Sequence, residues 1–111
     1  MKEIKAYVHS SRVSDVLSEL KNSAAWSAVG GDGHNLTVYM VKGSLVPQDD
    51  SERHYSMDLG QEVINEYKLE LHCNDEQVGE LVDVIRRAAR TGKSDAGWIY
   101  VHTIDDAIRV A

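Results

Sequence analysis

The 111-residue chain has no phenylalanine, one cysteine (Cys73) and one proline (Pro47). A single cysteine excludes an internal disulfide framework and suits a reducing compartment, so a cytoplasmic protein is expected. Apolar runs are only a few residues long, too short for a membrane-spanning helix. The opening Met-Lys-Glu-Ile-Lys-Ala lacks the basic-then-apolar pattern of a secretory leader. Neither a leader nor direct membrane insertion is therefore expected. Basic residues are the minority, 12 against 18 acidic ones, for a formal charge of −6. A general nucleic-acid binder needs clustered Lys and Arg to displace counterions, so this balance argues against that class. With 42% hydrophobic and 27% charged residues, the chain can build a core. Its length fits a single domain over 1–111.

The negative charge is unevenly placed. Between Ser44 and Glu66 stand six acids (Asp49, Asp50, Glu52, Asp58, Glu62, Glu66) and one base, Arg53, for a charge of −5. The other 88 residues carry −1. Pro47 belongs to the acidic segment, which reads as a long loop, too polar to pack.

Around it the hydrophobic pattern is regular. Ile4, Ala6 and Val8 alternate with Glu3, Lys5, Tyr7 and His9, which predicts a half-buried strand over Lys2 to His9. Ser10 or Ser11 is a candidate cap for a helix whose stripe is Val13, Val16, Leu17 and Leu20, ending near Asn22-Ser23. Gly30, Gly31 and Gly33 with Asp32 mark a turn, and their spacing does not fit a phosphate-binding loop. Leu36 to Val41 and Val63 to Cys73 read as the second and third strands. Asn74-Asp75-Glu76-Gln77 reads as a capping box ahead of a helix with the stripe Val78, Leu81, Val82, Ile85 and Ala88 or Ala89. After a loop from Thr91 to Gly97, Trp98 to His102 is a fourth strand and Ala107 to Val110 a short last one. The order βαββαβ predicts an α+β, ferredoxin-like sandwich with a long loop between strands 2 and 3.

Chemistry-bearing residues are sparse in motifs. Five histidines (His9, His34, His54, His72, His102) and Cys73 show no Cys-x-x-Cys, His-Glu-x-x-His or EF-hand spacing. His72 and Cys73 are consecutive on a strand and point to opposite faces, so one ion cannot take both. His54 with Asp49, Asp50 and Glu52 forms the loop group suited to a cation; the plain alternative is ordinary surface histidines and a small buried cysteine. Arg86, Arg87 and Arg90 end a helix, where cations suit the dipole; a ligand clamp is the other reading. No nucleophile has an ordered base beside it, so an enzyme is not expected.

Several segments together resemble the PII signal-transduction family. MKEIKAYV…RVSDVLSEL is similar to its first strand and helix, and LTVYMVKG (Leu36 to Gly43) to the strand entering its T-loop. YKLELHCNDEQVGELVDVIRRAARTGK resembles the strand and helix leading to its B-loop, and TGKSDAGWIYVHTIDDAIRV its C-terminal signature. The resemblance implies a homotrimer, nucleotides in the clefts between subunits, and a T-loop that contacts a transporter, enzyme or regulator. Carried over residue by residue, it implies nucleotide binding by Gly43, Arg90, Thr91, Gly92, Lys93, Gly97, Trp98 and Arg109. It makes 44–66 the partner-binding arm, with Pro47, Asp49, Asp50, Glu52, Arg53, His54 and Tyr55 in it.

The chain also departs from the pattern. Typical members run Thr-Gly-Lys-x-Gly-Asp-Gly-Lys where this chain has Thr91-Gly92-Lys93-Ser94-Asp95-Ala96-Gly97-Trp98. The final phosphate-binding lysine is Trp98 here, and Asp95 stands where a glycine lets the backbone approach phosphate. Indole offers a π-face and one donor in place of a charge, so ATP with its γ-phosphate is poorly served. ADP, AMP or a different ligand is left open. Pro47 occupies the register of the glutamine that serves Mg and 2-oxoglutarate, and His54 that of the uridylylated tyrosine. About eight extra residues lie around Trp26 to His34. This pattern resembles divergent members that accompany membrane transporters, including metal-efflux and bicarbonate systems. The expected function is a trimeric regulator sensing an adenine nucleotide and acting on a membrane transporter or regulatory protein. The alternative is a trimeric metal-binding module of metal tolerance or efflux, with His54, Asp49 and Asp50 as ligands.

Overall fold

A computed structural model of the chain describes residues 1–28, 31–47 and 50–111. Gly30 of the predicted turn and Gln48 and Asp49 of the acidic segment lie outside the described residues. The order is β1 (Lys2–Val8), α1 (Val13–Lys21), α2 (Ala24–Ser27), β2 (Thr37–Gly43), β3 (His54–Ser56), β4 (Gln61–Cys73), α3 (Val78–Ala89) and β5 (Trp98–Thr103). Single 3-10 turns lie at Gly31–His34, Asp50–Glu52 and Asp75–Gln77. The sheet runs β2-β4-β1-β5, with β3 added to β4, and every pairing is antiparallel. This is the ferredoxin-like arrangement that the alternating strands and helices predict.

Strand parity decides which face is the core. Ile4, Ala6 and Val8 of β1 stand beside Leu71, Leu69 and Tyr67 of β4. Except for Tyr67 these are buried, together with Cys73, Val16 and Leu20 of α1, and Leu81, Val84 and Ile85 of α3. Val84 joins the core although the periodic stripe omitted it. The opposite face of the sheet carries Lys5, Tyr7, Tyr39, Lys68, Glu70 and Tyr100. There the Tyr39 hydroxyl donates to Glu70 Oε1 at 2.6 Å, and Lys68 Nζ lies over the Tyr7 and Tyr39 rings. The Tyr39 hydroxyl, then Lys5 and Lys68, hold the Glu70 carboxyl below the usual range against a partial desolvation penalty.

Local chemistry explains where elements begin. The capping box at Asn74 is present, and the Asn74 N–H donates to Gln77 Oε1 at 3.0 Å. The other end of that glutamine side chain donates from Nε2 to the Ala25 carbonyl at 3.0 Å. The Glu80 carboxylate accepts from the Ala25 N–H, so the start of α3 holds α2 in place. Neither Ser10 nor Ser11 caps α1; its N-cap is Arg12, with no side-chain hydrogen bond. The Ser11 hydroxyl is engaged instead with His9 Nδ1, at 2.8 Å.

The two ends of the insertion, Trp26 and His34, pack against each other. Trp26 is buried and lies against the His34 ring, with centroids 4.6 Å apart. His34 Nδ1 bonds the His72 carbonyl, and His72 Nε2 bonds the Gly33 carbonyl, each at 2.8 Å. His34 is therefore a buried histidine, not a surface one: Nδ1 meets a carbonyl and the ring lies tilted at 33° to Trp26, while Nε2 is buried with no hydrogen-bond partner among the described residues.

Two further expectations are corrected. The acidic segment is not a structureless loop. Gly43 is the last residue of β2, and from His54 to Ser56 the chain pairs with Gln61 to Val63 of β4. The hairpin turns at Gly60 (φ +67), whose N–H donates to the Ser56 carbonyl at 2.8 Å. Pro47, Ser56, Val63, Ile64 and Glu66 are buried, so apolar side chains among the acids give the segment something to pack. The predicted strand at Ala107 to Val110 is absent, and Ile108 and Val110 are exposed. Two apolar side chains that bury nothing do not offset the entropy of ordering a strand.

Leu81 is fully buried where α3 meets the sheet. Leu81→Ala is expected to destabilise the fold by about 2–5 kcal/mol, read as a lower urea midpoint at unchanged slope by circular dichroism.

Candidate functional site

A cleft of about 750 Å³ opens between the end of α3, the 90–97 loop, β5 and the start of the acidic segment. Arg90, Thr91, Gly92, Lys93, Gly97 and Trp98 all line it. The loop reverses at Gly92 (φ +90) and Gly97 (φ +83), conformations that side chains resist, so glycine at both ends lets the backbone wrap the cleft. Gly43 and Arg109 are not part of it. Gly43 borders a separate hollow of about 260 Å³ with Arg53, Glu62 and Ile64, and a Cβ at Gly43 would meet nothing within 4 Å. Arg109 is exposed in the C-terminal tail, outside any strand or helix. Asp95, which stands in place of a glycine of the family pattern, does not line the cleft either.

The cleft has two chemical sides. On one, Arg86 and Arg87 occupy the last turn of α3, where cations suit the helix dipole, and Arg90 caps it. Arg86 and Arg90 also line the cleft, and Arg87 does not. On the β5 side Trp98 is 60% exposed and stacked on Tyr100, with centroids 6.2 Å apart and planes 15° apart. Tyr100 meets Tyr7 edge-on at 6.1 Å. These rings form an aromatic ladder at the rim of a basic cleft.

The other side is acidic and was not foreseen. His9 and Glu66 line the cleft, and the 3-10 turn Asp50–Glu52 brings Glu52 against His9, with Nε2 3.1 Å from Oε2. Among the described residues, His9, Glu52 and Glu66 are the group whose ligand atoms converge, all within 4.8 Å of one another. Asp50 pairs with Arg53 at 3.6 Å and His54 Nδ1 bonds the Glu52 carbonyl at 3.4 Å; neither joins the group, and Asp49 lies outside the described residues. The signal for this group lies in the pairing register, which the folded sheet supplies and the sequence pattern does not. One step beyond the last β1–β4 pair, Val8↔Tyr67, stand His9 and Glu66. Burial first, then the charge of Glu52, push the Glu66 carboxyl up to about 7.

The remaining described residues of the expected partner arm divide between surface and interior. Arg53 and Tyr55 are accessible, as are Met57 and Leu59 at the hairpin tip, whereas Pro47 is buried. Among the described residues no helix is long and apolar enough to cross a membrane.

A family model described as P-II, nitrogen regulatory protein P-II, matches residues 1–111. The chain is 31% identical to nitrogen regulatory protein P-II 2 of Methanothermobacter thermautotrophicus over 110 residues, which is 99% of this chain and 89% of the relative. It is 30% identical to nitrogen regulatory protein P-II of Bradyrhizobium diazoefficiens and 27% identical to that of Pyropia yezoensis, with 99% of this chain and 91% of each relative covered. These comparisons give the metal-tolerance alternative no support.

A carboxyl raised from about 4.5 to about 7 contributes most to stability below the lower value and loses that contribution as pH rises through the upper one. Glu66→Gln is therefore expected to match the parent near pH 4.5 and to exceed it increasingly up to pH 7. Allowing for solvent reaching the cleft, the gain is on the order of 1–2 kcal/mol. Thermal unfolding of both chains after chelator treatment, across that pH range, measures it.

Proposed function

The chain belongs to the nitrogen regulatory protein P-II family, and from that premise we propose that it is a cytoplasmic, trimeric regulator rather than an enzyme, which binds an adenine nucleotide in its cleft and signals to a membrane transporter through the segment 44–66. One observation carries the reading. The cleft is walled both by Arg90, Thr91, Gly92, Lys93, Gly97 and Trp98 and by Ser44, Leu45 and Val46, where the acidic segment leaves β2. A ligand there touches the segment directly, so occupancy and segment position are coupled without a relay.

The cleft chemistry favours a di- or monophosphate over ATP. Arg86, Arg90, Lys93 and the glycine-flanked backbone supply charge and donors for a phosphate group. Trp98 supplies a face on which a base stacks, where a lysine would have reached a further phosphate. The uncovered sheet face and the exposed apolar residues of the edge strand, Val38, Tyr39 and Met40, give two further subunits a surface to bury. The hairpin tip, with Tyr55, Met57 and Leu59 exposed, gives a partner an apolar anchor within an acidic arm.

Calorimetric titration with ADP, AMP and ATP tests the ligand. ADP or AMP is expected to bind more tightly than ATP, and Trp98→Ala to lose about tenfold or more, the range of one base stack. Silence for all three at millimolar concentration removes the nucleotide reading. Tryptic cleavage after the exposed Arg53 is expected to change rate with bound nucleotide; an unchanged rate removes the coupling. Light scattering is expected to give the mass of three chains.

A further inference from the structure

The acidic side of the cleft has no role in the nucleotide reading, and its geometry points elsewhere. We infer that His9, Glu52 and Glu66 form a binding site for a divalent transition-metal ion, which ties the acidic segment to the end of β1 and to β4. Each donor comes from a different part of the chain. His9 follows β1, Glu66 stands beside it on β4, and Glu52 is delivered by the 3-10 turn of the segment. The ligand atoms lie within 4.8 Å of one another, and His9 Nε2 and Glu52 Oε2 are 3.1 Å apart. Metal–ligand bonds near 2.1 Å at a tetrahedral angle hold donors about 3.4 Å apart, so the group needs only small side-chain rotations.

Charge supplies the second argument. Glu66 is more than nine-tenths buried, a second carboxylate faces it, and among the described residues no Lys or Arg forms an ion pair with it. The basic residues of the cleft stand on its α3 side. Glu66 shares a side-chain hydrogen bond with Glu52, so two carboxyl groups are held together at a place that a divalent cation would take in exchange for the proton between them. The surroundings fit a ligating imidazole as well. Ser11 holds the ring by its other nitrogen: the Ser11 N–H donates to His9 Nδ1 at 3.1 Å and Ser11 Oγ lies 2.8 Å from it, which leaves Nε2 directed at Glu52.

The donor set selects the ion. One imidazole nitrogen and two carboxylate oxygens suit Zn²⁺, Co²⁺ or Mn²⁺. Mg²⁺ and Ca²⁺ prefer oxygen throughout, and the thiol that would favour Cu⁺ is Cys73, at the far end of β4. Three protein donors leave a position on the cleft side for water or an anion.

The test uses chelator-treated, nucleotide-free protein, so its outcome is independent of nucleotide binding. Co²⁺ is titrated with detection by visible absorption, and Zn²⁺ by calorimetry. One saturable ion per chain is expected. Affinity should fall by about tenfold or more in His9→Gln and in Glu66→Gln, and remain unchanged in His54→Ala. Circular dichroism verifies folding, and Glu52→Gln on the surface turn replaces any variant that does not fold. Hydrogen exchange over 50–56 should slow when the ion binds. Absence of saturable binding at millimolar metal, or parental affinity in both the His9 and Glu66 variants, overturns the site. Unchanged exchange over 50–56 overturns the tie between segment and body.

Discussion

Strand β4 hydrogen-bonds to three other strands, and its register fixes nearly every other relationship in the molecule. Its inner half lies between β1 and β2, which sets the alternation of Leu69, Leu71 and Cys73 toward the helices. Its outer end, Gln61 to Val63, runs past both neighbours and is covered by β3 instead. The same strand therefore belongs to the core at one end and to the acidic arm at the other. A shift of one residue would turn Leu69 and Leu71 to the open face and carry Glu66 away from His9. The arm is consequently an extension of the core sheet, and whatever displaces its base acts on hydrogen bonds continuous with the core.

The cleft inherits this dual character. Its basic wall is the C-terminal turn of α3 and the loop after it, where the helix dipole already favours cations. Its acidic wall is the junction of β1, β4 and the arm, where two carboxylates and an imidazole are held together. Basic and acidic groups thus stand on different walls of one cavity. The walls also differ in mobility of origin. The basic side stands on a helix packed into the core, while Glu52 arrives on a single 3-10 turn, so the acidic side is where a change of state costs least.

The periodic elements were legible because their period is their cause. Alternation in Lys2 to Val8 and the stripes of Val16, Leu20, Leu81 and Ile85 follow from burying one face, and the strands and helices stand where that pattern puts them. The capping box at Asn74 was equally legible, being a local hydrogen-bond exchange. The helix cap at Ser10 or Ser11 was not, because the Ser11 hydroxyl had a competing partner in His9. The strand at Ala107 to Val110 failed because propensity without burial does not order a segment. The resemblance assembled part of a cleft, six of its residues, yet Gly43 and Arg109 stand apart from it.

By itself the sequence determined the class of fold, the family, the position of the acidic arm and the glycine-flanked basic loop, since each rests on short-range pattern. The tertiary structure decided the fate of the polar residues. His34 is buried because Trp26 and a carbonyl of β4 meet it there, and Glu66 is a cleft residue because β4 passes His9 at that position. Burial of an apolar residue is paid for by its own surface and shows in its spacing. Burial of a polar one depends on a partner distant in the chain, and that partner exists only once the strands have paired.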